Sequence, residues 1–242
     1  MNNHAVLVVG QGNTGKSTSL RNLRDRAGYA YFNTDQKPLA IRGAKTFLVN
    51  QFINDPLSIL DFYRQLEEHP KCNGIILDTL SFLMEQYERK IVQTSANTMT
   101  AWGDYGAFYG DLTDLIKASK KPQVVMAHTD TQLNEQSGNL ESKILVKGAV
   151  GKRGPECDYS IVVTTKQMPI LKLREFESPL LKFTEEEEAT GMKYVFNTRI
   201  TKATVGDRTR APMGMWDLKE TYIDNDIQIV LDRITEYYSG EY

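Results

Sequence analysis

A glycine-rich segment near the start of the chain has the residue types and the spacing that bind phosphate groups. Residues 10–17 read GQGNTGKS, so that a lysine and a serine directly follow the last glycine. Glycines allow successive backbone N–H groups to point into one concavity, and the amino end of a following helix adds partial positive charge. In such a P-loop the lysine reaches the β- and γ-phosphates of a nucleotide, and the serine hydroxyl binds Mg²⁺. We therefore expect ATP and Mg²⁺ to be bound by Gly10, Gly12, Asn13, Thr14, Gly15, Lys16, Ser17 and Thr18.

The residues on either side of this loop predict the strand and the helix that a P-loop needs. Residues 5–9 are a continuous apolar run, which is typical of a strand buried on both faces of a parallel sheet. A helix is expected over residues 16–26. The alternation of strands and helices up to residue 130 predicts an α/β fold with a parallel sheet. Further strands are predicted at residues 29–33, 47–49, 74–78 and 124–128, with helices that begin at Asp55 and that carry Phe108 to Ile116.

The rest of the chain has a different pattern. The acidic run at residues 185–188 is interpreted as a solvated hairpin tip. A last helix is expected to begin at Asp224 and to end at Gly240, because glycine readily takes the left-handed conformation that closes a helix. The late strands are expected to extend the same sheet in antiparallel fashion, so that residues 1–242 form a single domain. These strands, joined by short connections, are predicted at residues 159–165, 170–173 and 194–201.

Three polar side chains follow predicted strands at the edge of the sheet where the P-loop lies. Asp78 ends one strand, and a carboxylate at that edge can hold Mg²⁺ together with Ser17. Asp35 follows the second strand and can orient or deprotonate a water molecule that attacks the γ-phosphate. His128 ends the strand after that of Asp78 and can sense the same phosphate group. Together with Lys16, Asp35 and His128 are the predicted catalytic groups within one chain.

The order of these features resembles the RecA-like recombinase core, which also underlies hexameric replicative helicases. The P-loop comes first, then Asp35, Asp78 and His128, and late in the chain two arginines occur in the sequence RTRAP. In such cores a late pair of basic residues reaches the ATP site of the neighbouring subunit. The resemblance implies this catalytic role for Arg208 and Arg210, and residues spaced by one point to the same side of an extended segment.

The resemblance covers most of the chain and implies a RecA-like P-loop NTPase fold. In that fold helices flank a mostly parallel central sheet, and antiparallel strands form its C-terminal part. The chain is similar to compact phage ATPases of the RecA superfamily, which promote single-strand annealing. This similarity implies an ATP site shared between the subunits of a homo-oligomer, in a ring or a filament. Asp35 stands where the family has a catalytic glutamate, and its side chain is one methylene shorter.

Basic residues lie in two long connections between the predicted strands, over residues 82–104 and 131–154. Connections of this length without regular structure are usually functional or disordered. In RecA-like assemblies the corresponding loops hold single-stranded DNA, and cations repeated around an assembly make a positive track for its phosphate groups. The net charge of -2 excludes a protein that coats nucleic acid through bulk charge. The predicted DNA-binding residues are Arg89, Lys90, Lys143, Lys147, Lys152 and Arg153.

We therefore expect an ATP-binding and ATP-hydrolysing protein that acts on single-stranded DNA in annealing or homologous recombination, with a single-strand DNA-binding protein as a further partner. Three alternatives share the P-loop: a ring helicase-like DNA translocase, a P-loop kinase, and an ATP-dependent assembly switch that does not hydrolyse its nucleotide. The two cysteines lie far apart, and no apolar run is long enough to span a membrane. The chain is expected in the cytoplasm, or in the host cytoplasm if a phage encodes it, without membrane contact.

Overall fold

The computed structural model describes residues 2–133, 138 and 140–240, and the strands of this part form one sheet. In chain order the strands are β1 (Ala5–Gly10), β2 (Tyr29–Asn33), β3 (Val49–Phe52), β4 (Gly74–Asp78), β5 (Gln123–Leu133), β6 (Leu140–Ile144), β7 (Ile161–Pro169), β8 (Met192–Asn197) and β9 (Tyr222–Asp224). Across the sheet the order is β3-β2-β4-β5-β1-β7-β8-β9, and β6 pairs with β5 beside this path. The first strand therefore lies in the middle of the sheet, between β5 and β7.

The sheet is mostly parallel. β1 runs parallel to both of its neighbours, and β2 runs parallel to β3 and to β4. β8 pairs antiparallel with β7 and β9, and β6 pairs antiparallel with the far end of β5. The prediction of an α/β fold with a mostly parallel sheet and antiparallel strands late in the chain is confirmed.

Helices cover both faces of the sheet. They are α1 (Ser58–Glu68), α2 (Leu80–Tyr87), α3 (Thr98–Ala118), α4 (Gly148–Arg153), α5 (Ile170–Arg174), α6 (Glu185–Thr190) and α7 (Ile227–Ser239). The first three pack on the face that carries Leu7 and Val9. The opposite face, with Val6 and Val8, is covered by α7 and by a 3₁₀ helix at Ser17–Asn22. Both faces of β1 are thus fully buried, which explains its continuous apolar sequence.

None of these helices, within the described residues, is both long and apolar enough to cross a membrane. Two elements in the first part of the chain differ from the prediction. The helix predicted over residues 16–26 is a short 3₁₀ helix that ends at Asn22, because Leu23 leaves the helical conformation, with φ −57° and ψ 121°. The strand predicted at residues 47–49 lies slightly later in the chain, as β3.

Two predictions after β7 are wrong. The segment at residues 170–173 is not a strand, because β7 ends at Pro169 and the chain continues into α5. Ile170 and Leu173 are both buried, and a spacing of three places them on one side of that helix. The acidic run at residues 185–188 begins α6 rather than a hairpin tip, and the preceding threonine caps the first turn.

The two long connections have regular structure, contrary to the prediction. Residues 82–104 lie largely in α2, in a π-helical turn that follows it, and in the start of α3. Residues 131–154 contain the end of β5, the strand β6 and α4, apart from residues 134–137 and 139, which lie outside the described part. Both connections bury apolar side chains in the main core, so they form part of the packed domain.

Candidate nucleotide-binding site

The P-loop follows β1 at the carboxyl edge of the sheet. Asn13 and Gly15 have positive φ angles of 60° and 94°, which fold residues 10–16 back over the end of the strand. Gly10 has no room for a side chain, since a Cβ atom there would lie 2.0 Å from Oγ1 of Thr165 on β7. The loop therefore has the tight turn that phosphate binding requires, and it leads directly into the 3₁₀ helix.

Lys16 is folded onto its own loop. Only 5% of the residue is exposed, and Nζ donates hydrogen bonds to the backbone oxygens of Gly10 at 2.9 Å and Gln11 at 2.7 Å. Burial lowers the pKa of Lys16 to about 8, and the carboxylates of Asp78 and Asp35 oppose this shift. The ammonium group therefore stays mostly charged at neutral pH, at the phosphate-binding end of the loop.

The two predicted magnesium ligands are in direct contact. Ser17 Oγ donates a hydrogen bond of 2.6 Å to Oδ2 of Asp78, which is 4% exposed at the end of β4. The hydroxyl of Tyr31 donates to the same oxygen at 2.8 Å. Burial raises the pKa of Asp78, and the hydrogen bonds from Ser17 and Tyr31 oppose that shift.

These oxygen atoms fit a magnesium ion. Mg²⁺ prefers oxygen ligands and usually takes one or two carboxylates together with phosphate groups and water. Among the described residues no donor reaches Oδ1 of Asp78, and the Ser17 hydroxyl keeps its lone pairs while it donates its proton. Ser17 and Asp78 can therefore hold the ion. Nothing in the sequence indicates Tyr31, because only the pairing of β2 with β4 brings it to this carboxylate.

The strand order places His128 between the P-loop and Asp78, because β5 lies between β1 and β4. His128 is directly paired with Gly10 in the register of the sheet. Its imidazole packs edge-on against Phe82, with ring centroids 4.9 Å apart. Burial lowers the pKa of His128 to about 4, and the charge of Lys16 acts in the same direction. The imidazole is therefore uncharged at neutral pH and can form a hydrogen bond with a phosphate group.

Asp35 lies in the turn after β2, at the same edge of the sheet. Its side chain is 30% exposed, and Nζ of Lys37 is 3.4 Å from its Oδ1. The preceding Thr34 anchors the turn: its Oγ1 accepts a hydrogen bond from the N–H of Thr79 at 2.7 Å. Its backbone oxygen accepts another from the side chain of Gln86 at 2.9 Å. The turn is thus fixed to α2 and to the residue that follows Asp78.

The uncharged, partly buried His128 makes the stability of the protein depend on pH. Below pH 6.5 an unfolded chain binds a proton at this residue, whereas the folded protein does not until the pH approaches about 4. The free energy of unfolding therefore falls through this window as the pH is lowered. We expect His128→Gln to lose less thermal stability than the wild type between about pH 7 and about pH 4.5. Thermal melts over this pH range measure the difference. His69→Gln is the control, because His69 is exposed. If wild type and His128→Gln lost the same thermal stability in acid, the prediction would be wrong.

The two predicted arginine fingers have different surroundings. Arg208 is held within its own chain: its Nε donates to the backbone oxygen of Ser142, and its guanidinium lies 3.4 Å from Glu141 and 3.5 Å from Glu156. Arg210 is exposed, and its side chain has no hydrogen bond or ion pair within the described residues. Of this pair, Arg210 is therefore the one available to a neighbouring subunit.

Some of the predicted DNA-binding residues are likewise bound to groups of their own chain, and others are not. Lys147 pairs with Glu88 at 2.9 Å, and Arg153 pairs with Asp158 at 2.5 Å. Lys90 donates to a backbone oxygen in the loop before α1. The cations available to DNA are thus fewer than the sequence indicates. Those that are exposed and have no side-chain ion pair or hydrogen bond, in the part of the chain that the structure describes, are Arg89, Lys143 and Lys152.

A cavity of about 640 Å³ lies between the P-loop and the segment that carries Lys143 and Lys147. It is bounded by Gly12 and His128 and by Lys143 and Lys147, with apolar walls from α2, α3 and the segment after β6. A cavity of this size can hold a small molecule, and its lining also includes the charged side chains of Lys37, Glu85 and Glu88.

A mostly parallel sheet, a P-loop after its first strand, and a serine–aspartate pair suited to Mg²⁺ define a P-loop nucleotide-binding domain. The chain belongs to the AAA domain family, AAA_24, whose model matches residues 2–153, and it is thus an AAA-type P-loop ATPase domain. The matched part contains the P-loop, Asp78 and His128. It ends before β7, so that Arg208 and Arg210 lie outside it. No curated protein matches the chain.

Proposed function

We propose that the protein is a RecA-like ATPase that binds single-stranded DNA and promotes annealing in homologous recombination. The observation that supports it best is the convergence of Lys16, Ser17 and Asp78 at one edge of the sheet, with Ser17 Oγ 2.6 Å from Asp78. The β5–β6 hairpin rises from the same edge and carries the exposed Lys143. ATP and DNA are then bound side by side, in a homo-oligomer whose subunits share each ATP site.

In the proposed reaction, the P-loop N–H groups and Lys16 bind the β- and γ-phosphates. Ser17 and Asp78 would hold Mg²⁺, which would supply positive charge beside the phosphate oxygens. Asp35 orients the attacking water or accepts its proton, and the uncharged His128 donates a hydrogen bond to the γ-phosphate. The strand order supports this division of roles, since Asp78 ends β4 and Asp35 lies in the turn after the neighbouring strand β2.

The hairpin offers a physical link between DNA and the γ-phosphate. The backbone oxygen of His128 accepts a hydrogen bond of 2.8 Å from the N–H of Leu145, directly after β6. The next residue of β5, Thr129, is paired with Ile144 of β6. A DNA strand held on Lys143 therefore acts on the same backbone segment that positions the imidazole.

Phosphate release with and without single-stranded DNA tests this proposal. We expect the DNA to raise the ATPase rate and nucleosides to leave it unchanged. DNA affinity should fall as salt rises, and Lys143→Ala and Lys152→Ala should each flatten the slope of log affinity against log salt by about 0.7. Lys120→Ala is the matched control, because this exposed lysine lies in the turn before β5, at the opposite edge of the sheet. A DNA affinity that does not change with salt would contradict the assignment.

The cavity beside His128 supports a second candidate, a P-loop kinase that transfers the γ-phosphate to a small molecule. Its volume of about 640 Å³ is large enough for an acceptor, and it lies next to Gly12 of the P-loop. In that case a small acceptor, rather than DNA, would raise ATP turnover and a phosphorylated product would form. An assembly switch would bind ATP in a titration without releasing phosphate. A ring translocase would separate DNA strands in a strand-displacement assay, which an annealing protein should fail.

A further inference from the structure

Tyr31 contacts the carboxylate of Asp78 from a different strand. It lies on β2, beside β4, and is 2% exposed. Its hydroxyl donates a hydrogen bond of 2.8 Å to Oδ2 of Asp78, and its ring stacks on Phe47 with centroids 5.3 Å apart. Because burial and stacking fix the ring, the hydroxyl stays within reach of the carboxylate.

Two hydroxyls share this carboxylate oxygen, and they differ in what else they do. Ser17 belongs to the P-loop, and its hydroxyl is also a predicted ligand of Mg²⁺. Tyr31 belongs to the sheet, so its hydrogen bond does not depend on the conformation of the P-loop. Among the described residues both donors reach Oδ2 of Asp78 and none reaches Oδ1. Oδ1 is therefore available to the ion, or to a water molecule bound to the ion.

We infer that Tyr31 is a positioning residue for the magnesium site, which fixes the orientation of Asp78 before a nucleotide binds. The inference rests on the proposed ATP site. Groups that orient a metal ligand typically change metal affinity by about 10- to 100-fold when they are removed. Loss of the Tyr31 hydroxyl should therefore weaken the contribution of Mg²⁺ to nucleotide binding and leave binding without Mg²⁺ unchanged.

Tyr31→Phe tests this role, because it removes the hydroxyl and keeps the ring against Phe47. Calorimetry gives the affinity for ATP in Mg²⁺ and in EDTA, and the ratio of the two measures the contribution of the ion. We expect this ratio to fall about 10- to 100-fold in Tyr31→Phe, with the affinity in EDTA unchanged. Tyr63→Phe is the matched control, since it removes a buried tyrosine hydroxyl that has no hydrogen-bond partner among the described residues. Melting temperatures without nucleotide show whether both variants are folded.

The measurable outcomes separate the proposed function from the role of Tyr31. A wild-type protein that binds no ATP in either buffer overturns the proposed function, and the inference with it. If the wild type binds ATP and Tyr31→Phe keeps the wild-type ratio, Tyr31 does not position Asp78 and the inference alone is wrong. Equal losses of affinity with and without Mg²⁺ would show that the hydroxyl supports the loop rather than the ion, and this also overturns the inference.

Discussion

Lys16→Ala is expected to reduce the affinity for ATP by at least about 100-fold, because it removes the charged donor that the P-loop aims at the phosphates. The ammonium group bonds to the backbone oxygens of Gly10 and Gln11, at 2.9 and 2.7 Å. Phosphate oxygens are stronger, charged acceptors and take over these bonds when a nucleotide binds. Alanine has neither the charge nor the reach to replace them. Isothermal titration with ATP and Mg²⁺ measures the difference.

The control for this variant is Lys37→Ala. Lys37 lies at the same edge of the sheet, pairs with Asp35 at 3.4 Å and has a side chain that is 76% exposed, but it is outside the P-loop. Its removal therefore tests the effect of a nearby charge without the loop contacts, and we expect a small loss of ATP affinity. If Lys16→Ala bound ATP as tightly as Lys37→Ala, the P-loop would not be the nucleotide site.

The parts of the site that can be predicted from the sequence are those formed by residues that lie close together in the chain. The P-loop is contiguous, and its glycines and lysine identify it without any knowledge of packing. β2 and β4 lie where the apolar runs predict them, at Tyr29–Asn33 and Gly74–Asp78, because a strand buried on both faces is apolar throughout. The position of Asp78 then follows, since parallel strands share their carboxyl edge.

Contacts between distant elements could not be predicted in this way. Lys147 looks like a free cation in the sequence, yet it pairs with Glu88, which the packing of the helices brings to it. Arg208 is likewise paired with acids from other elements. Tyr31 is the clearest example: it is 47 residues from Asp78 in the chain, and only the pairing of β2 with β4 joins them.

The long connections show a different limit of prediction. The polar and basic residues between positions 82 and 104 favour a loop, but Leu83, Met84 and Tyr87 occur at helical spacing and are buried in α2. Six of the eight residues of α2 are buried, including the polar Gln86, and the exposed basic residues Arg89 and Lys90 lie in the turn that follows the helix. The length and polarity of a connection are therefore weak evidence for a loop, and the apolar spacing within it decides the structure.

Arg210→Ala is expected to leave ATP binding by isolated subunits unchanged and to lower the rate of ATP hydrolysis about 10³-fold, as removal of an arginine finger does. The backbone of Arg210 pairs with Val162 on β7. In the register of the sheet, Val162 is in turn paired with Leu7 of β1. Leu7 lies about 10 Å before Gly10 along the strand. Arg210 is therefore displaced from the P-loop of its own chain, toward the amino ends of the parallel strands. An exposed guanidinium at this position is suited to the site of a neighbouring subunit.

The apolar surface beside Arg210 supports such a contact. Ile200 and Met213 line the same pocket as Arg210 and are 48% and 95% exposed. Large apolar side chains that are exposed close together mark interaction surfaces. The solution mass of the wild type should therefore rise when ATP is added, and Arg210→Ala should lose this ATP-driven assembly.

Mixing two inactive variants tests whether the arginine acts on the neighbouring subunit. In a mixture of Arg210→Ala with Asp35→Asn, some interfaces combine an intact Asp35 from one subunit with an intact Arg210 from the next, and these should recover part of the hydrolysis rate. Arg208→Ala is the control, because Arg208 bonds to Ser142 and Glu141 in its own chain. Its loss should lower the melting temperature, whereas Arg210→Ala should not. If the mixture stays as inactive as its components, no ATP site is shared between subunits through Arg210.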